Sequence, residues 1–164
     1  RGNHGGNMYP MIAAIHRFLP DDIFLKFKMR RRFQSVMPIN KEFVANLVGV
    51  EIESRINCPV AILTDEETAS SGEAVLLSFR GLDNARVFGS PTAGYASANE
   101  SIILDNGSIL ALTVSCDIAR TGEIFCDDPI IPDVETESPE EDALLWLKDR
   151  SSAKKAENAL DASK

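Results

Sequence analysis

The residue best suited to covalent chemistry is Ser70, within Thr68-Ala69-Ser70-Ser71-Gly72-Glu73. This polar sextet lies between the apolar runs Cys58-Pro59-Val60-Ala61-Ile62-Leu63 and Ala74-Val75-Leu76-Leu77. The pattern predicts a buried strand, a tight turn and a helix. Such a turn exposes a serine hydroxyl at a strand end, where the first helical N–H groups have no intrahelical acceptor. Acyl transfer needs that combination of a nucleophile and donors for an oxyanion. The same sextet also reads as a plain helix start, with Thr68 or Ser70 as the cap and Glu73 three residues after Ser70 as in a capping box.

A second segment, Arg1-Gly2-Asn3-His4-Gly5-Gly6-Asn7, is a glycine-rich loop running into a helix. Glycines let backbone N–H groups approach a reacting atom closely, so Gly5 and Gly6 are candidate oxyanion-loop residues. A phosphate cradle fits poorly, because no Gly-Lys-Ser/Thr follows. An ordinary tight turn is the structural alternative.

The elements that must position these residues follow from periodicity. Met8, Met11, Ile12, Ile15 and Leu19 have helical spacing, with Asn7 as N-cap and Pro10 in the first turn. Asp22 to Lys28 alternates as a strand, and Arg30 to Asn40 reads as loop. Lys41 to Arg55 reads as an amphipathic helix with Phe43, Val44, Leu47, Val48 and Ile52 on one side. A buried strand over Pro59 to Thr64, a helix over Gly72 to Arg80 and a short strand over Ala85 to Gly89 come next. Asp105-Asn106-Gly107 between apolar runs marks a hairpin. A second hairpin turns near Gly122, and Glu140 to Arg150 forms a short helix. From Ser151 the chain lacks an apolar face and is expected to fray or be disordered. Strands alternating with helices, then hairpins, argue for an α/β fold with a mixed sheet.

The 164 residues suit one domain, and 44% apolar residues can bury a core. A net charge of -8, with one basic run at Lys26–Arg32, argues against nucleic-acid binding; that run is expected to be a solvated strand end or loop. Of the three cysteines, Cys116 and Cys126 are equidistant from Thr121 and could face each other across the second hairpin. Two independent free thiols are the preferred expectation, and a disulfide, fitting an exported protein, is the alternative. No spacing points to a metal.

Taken in order, Arg-Gly-Asn-x-Gly-Gly-Asn, Pro-Val-Ala-Ile-Leu-Thr, Thr-Ala-Ser-Ser-Gly-Glu, Phe-Gly-Ser-Pro-Thr-Ala-Gly, Leu-Asp-Asn-Gly-Ser and Ile-Ile-Pro-Asp resemble the C-terminal-processing (tail-specific) serine proteases. The resemblance covers Arg1 to about Val134. It implies a ClpP/crotonase-like α/β core with flanking helices and C-terminal hairpins. It also divides the chain into the C-terminal portion of the protease core, residues 1–137, and a short helix with a disordered tail, residues 138–164. By it, Ser70 is the nucleophile, Ser71 N–H one oxyanion donor, and the Gly5/Gly6 turn the source of the other.

The base departs from the best-known branch. That branch carries lysine after the Thr-x-Gly of the later loop, where this chain has Tyr95 after Thr92-Ala93-Gly94. No lysine occurs from Glu42 to Leu147, which excludes the usual Ser–Lys dyad. Thr-Ala-Ser-Ser and the run Ala93 to Asn99 look closer to the histidine-base branch, which includes tricorn-like and nisin-resistance-protein-like proteases. Its histidine would lie before Arg1, and an export signal would lie there too. His4, beside the glycine loop, and Tyr95 are weaker candidates; His16 is expected to be packing. A carboxylate to orient the histidine is sought among Glu123, Asp127 and Asp128.

The resulting expectation is a serine endopeptidase acting on peptide or protein substrates through an acyl-enzyme on Ser70, without cofactor or metal. An exported or envelope location is expected. A non-catalytic peptide-binding module that keeps the fold is the main alternative, and a crotonase-like thioester enzyme is a further one.

Overall fold

The computed structural model describes residues 1–29 and 36–161. Helix α1 (Met8–Ile15) opens on Asn7, whose side chain accepts from Tyr9 N–H at 3.1 Å, and ends in a 3-10 turn, His16–Phe18. Strands β1 (Leu25–Met29) and β2 (Val36–Ile39) pair antiparallel. The expectation of loop up to Asn40 is therefore corrected at Val36–Ile39, which forms a sheet edge. Pro38 is tolerated there because an edge strand needs no N–H on its outer side. Of the basic run, Arg30, Arg31 and Arg32 lie outside the described residues.

Helix α2 (Lys41–Val48) is shorter than the amphipathic pattern suggests. Gly49 stops it at φ 72°, donating its N–H back to Ala45 at 2.8 Å. That left-handed cap is a conformation glycine adopts without a Cβ penalty. The residues beyond it, Val50 and Ile52, are exposed rather than packed on a helical face.

Strand β3 (Val60–Thr64), helix α3 (Ser71–Leu77) and strand β4 (Ala85–Gly89) form a parallel crossover, and β8 (Val134–Glu135) adds to β4. Only Thr64 of β3 is buried. The continuous apolar run that suggested a buried strand is half-covered, because β3 lies at the sheet edge and β4 is central.

Strands β5 (Ser97–Ile103) and β6 (Ile109–Ala119) form the hairpin expected at Asn106-Gly107, with Gly107 at φ 81°. The order β2-β1-β6-β5 makes an antiparallel sheet, and β7 (Ile124–Phe125) extends it along β6 where β5 ends. The fold is α/β, with its parallel and antiparallel strands in two sheets. Cys116 and Cys126 are joined by a disulfide, with Cα atoms 4.6 Å apart. This corrects the preference for two free thiols; adjacent strand ends in the second hairpin bring the pair within bridging distance. Cys58 stays free.

Helix α4 (Pro139–Asp161) continues beyond Arg150, where the sequence offers good helix formers but no apolar stripe. The core draws on nearly every element: Ile12, Leu19, Phe24, Leu25, Ile39, Leu77 and Ile130 have no exposed surface. Each such side chain contributes about 1.5–3 kcal/mol relative to exposure. No helix among the described residues is long and apolar enough to cross a membrane.

Candidate active site

Ser70 sits at the junction that follows β3 and begins α3. Its φ of 52° and ψ of -118° make it the one non-glycine residue with positive φ among the described residues. That region crowds an L side chain and costs on the order of 1–3 kcal/mol, so neighbouring contacts must impose it.

Glu73 supplies those contacts. It is fully buried, and its Oε2 accepts from Ser70 N–H at 2.7 Å and Tyr95 N–H at 2.8 Å. Its Oε1 accepts from the Thr92 hydroxyl at 2.5 Å and Gly94 N–H at 3.0 Å. The Thr92 hydroxyl in turn accepts from Ile130 N–H at 2.8 Å. One carboxylate therefore ties the serine turn to the Thr92–Tyr95 loop. The capping-box spacing was legible in sequence; the second loop held by the same carboxylate was not.

The glycine loop presses against this turn. A Cβ on Gly5 would lie 2.9 Å from Ser70 Cβ and 3.1 Å from Ser71 N, at a φ of 99°. Gly5 is thus needed for both conformation and proximity. Its own N–H is taken by Asn3 Oδ1 at 3.1 Å. The Gly6 carbonyl accepts from Ser71 Oγ at 2.6 Å, locking loop to helix. Among the described residues, Gly6 N–H and Ser71 N–H have no hydrogen-bond acceptor. The structure therefore brings Gly5, Gly6, Ser70 and Ser71 together.

Gly6, Ser70 and Ser71 border a groove of about 420 Å³. One wall is Gly6 to Tyr9, Ser70, Ser71 and Ala74; the floor is one face of the antiparallel sheet. Register explains the floor: Met37, Phe27 and Asp117 are cross-strand neighbours in one row, and Met29, Ser115 and Ala98 in the next.

Asp117 is the carboxylate that lines this groove among the described residues, and it was missed among the sequence candidates. It is 1% exposed, and its Oδ1 has no hydrogen-bond partner among the described residues. Burial, then repulsion from Glu73, pushes its carboxyl up to about 7. The available signal was a lone acid within the apolar alternation of β6, in register with Ser115.

The other sequence candidates lie elsewhere. Glu123 is paired with Arg80 through two contacts of 3.2 Å, and that guanidinium, with the Thr121 hydroxyl, holds its carboxyl below the usual range. Glu123, Asp127 and Asp128 do not line the groove. His4 is exposed and outside it, and the Tyr95 side chain is 62% exposed. In His16, Nε2 accepts from Glu53 N–H at 3.1 Å, so Nδ1 carries the proton donated to Ala13 O at 2.6 Å. Both ring nitrogens are engaged, as expected of a packing residue.

The Peptidase family S41 model matches residues 1–136. The chain belongs to peptidase family S41. The nisin-resistance protein of Lactococcus lactis subsp. lactis is 33% identical over 152 residues, covering 90% of this chain and 48% of that protein. The carboxy-terminal processing protease CtpA of Bacillus subtilis (strain 168) is 25% identical over 148 residues, covering 90% and 29%. A solved lipoprotein from Streptococcus agalactiae superposes with a TM-score of 0.82 at 36% identity, covering 91% of this chain and 52% of that one. The S41 chain described here thus spans about half the length of these relatives, or less. The resemblance carried by the ordered motifs holds, and of these two proteins the nisin-resistance protein is the more similar in sequence.

Proposed function

We propose that this chain is the nucleophile-bearing part of a serine endopeptidase that hydrolyses peptide bonds through an acyl-enzyme on Ser70. The observation that carries this reading is the positive-φ Ser70 beside two N–H groups, those of Gly6 and Ser71, without acceptors among the described residues. In this account Ser70 Oγ attacks the scissile carbonyl carbon. Gly6 and Ser71 N–H receive the oxyanion, while Gly5 allows the loop to approach. The carbonyl re-forms as the amine leaves with a proton, and water then releases the acid.

The base is supplied from outside this chain. No lining side chain of the groove among the described residues is a histidine or lysine, and Asp117 is an acid at the floor. S41 membership supports peptide or protein substrates, and the match to a carboxy-terminal processing protease supports cleavage near a C-terminus. The Cys116–Cys126 disulfide and the likeness to a lipoprotein support an exported or envelope location.

In the full-length protein, a fluorophosphonate probe should label Ser70, and Ser70→Ala should abolish labelling. Equal labelling of the variant would remove Ser70 from the mechanism. Residues 1–164 alone should hydrolyse peptides very weakly; robust turnover by this piece would show that its own residues supply the base.

A further inference from the structure

The groove floor carries two buried polar atoms with no partner among the described residues, Asp117 Oδ1 and Ser115 Oγ, and both residues are 1% exposed. They are two apart on β6, on the face lined by Phe27, Met29 and Met37. Unpaired buried polar atoms are costly, and native structures rarely leave two together without use. β1 and β7 set Phe27 and Phe125 beside Asp117, and α3 contributes Glu73, so among the described residues no cation neutralises it.

From this geometry we infer that Asp117, assisted by Ser115, is a specificity determinant that receives a lysine or arginine side chain of the substrate. This deepens the peptidase reading and rests on it. The chemistry is complementary at both ends. Phe27, Met29 and Met37 form an apolar channel suited to a methylene stem, and basic side chains bury such stems while their heads reach polar partners. At the floor, the ammonium or guanidinium donates to Asp117 Oδ1 and Ser115 Oγ and satisfies both. Its charge offsets burial and the repulsion from Glu73. A volume of about 420 Å³ holds one long side chain together with backbone at Ser70. An uncharged apolar side chain would leave both atoms unpaired.

The test compares peptides that differ only in lysine, arginine or norleucine beside the scissile bond, using full-length parent, Asp117→Asn and Ser115→Ala. The parent should favour lysine or arginine. In Asp117→Asn the kcat/KM ratio of lysine to norleucine peptides should fall about 10- to 100-fold, as expected for a lost charge-assisted hydrogen bond. Ser115→Ala should lower the same ratio by less. Fluorophosphonate labelling of Ser70 in each variant reports that the site is assembled. A parent that labels and cleaves but shows no basic preference overturns this inference alone. So does an Asp117→Asn enzyme whose kcat falls equally on every peptide, which would place Asp117 in the chemistry. A parent that neither labels nor cleaves overturns the peptidase reading as well.

Discussion

Asp117→Asn should stabilise the protein at alkaline pH and leave it nearly unchanged at pH 4. The free acid titrates at 3.8, and burial with Glu73 repulsion raises it to about 7 in the folded state. A carboxyl with a raised folded value favours folding only while protonated. Its contribution is fully present below 3.8 and is lost as pH rises through about 7. Tenfold in proton affinity corresponds to about 1.4 kcal/mol, so ionising Asp117 costs the fold about 4 kcal/mol by pH 8 to 9. Solvent screening removes little of this, since the side chain is 1% exposed. Asparagine keeps the shape and cannot ionise. Urea denaturation of parent and variant at pH 4, 6 and 8 isolates the effect, because titrating groups remote from Asp117 cancel in the difference. The variant should gain progressively from pH 4 to 8. A gap independent of pH, or a variant less stable at pH 8, would refute the argument that Asp117 is desolvated and lacks a cation partner.

Two further perturbations probe what holds the serine turn and the sheet. Glu73→Gln replaces one oxygen that accepts two hydrogen bonds with an NH2 group, setting donor against donor. It should cost about 3 kcal/mol or more in denaturation and slow Ser70 labelling; unchanged labelling would show that Glu73 does not set the Ser70 backbone. Reducing the Cys116–Cys126 disulfide opens a loop of sequence separation 10 and should cost about 3 kcal/mol, read as a lower Tm with reductant. An unaltered Tm would show that packing alone holds the second hairpin.

The sequence made the local elements around Ser70 legible because each has a short-range cause. Asn7 caps α1, Asn106-Gly107 turns a hairpin, and Gly81 at φ 75° follows the end of α3. Gly5, Gly6, Ser70 and Ser71 stood out in sequence as two small-residue turns and through the resemblance carried by the motif order, and the structure sets the two turns side by side. Long-range consequences were harder to read. The apolar pattern after Lys41 continues through Gly49, but the left-handed cap there ends the helix. Glu73 looked like a local cap, yet three of its four hydrogen bonds come from residues about twenty positions later. Asp117 was hidden because only the pairing of β6 with β1 puts it on the groove face. The sought acids after Gly122 were plausible by chain position, but Arg80 draws Glu123 away.

The central claim is that Ser70 becomes acylated. Mass spectrometry of the full-length protein, quenched during turnover of a slowly deacylating peptide ester, tests it directly. The account predicts a mass increase equal to the acyl group, mapped to the peptide containing Ser70 and absent from Ser70→Ala. An acyl group mapped to another residue, or undiminished turnover by Ser70→Ala, would contradict it.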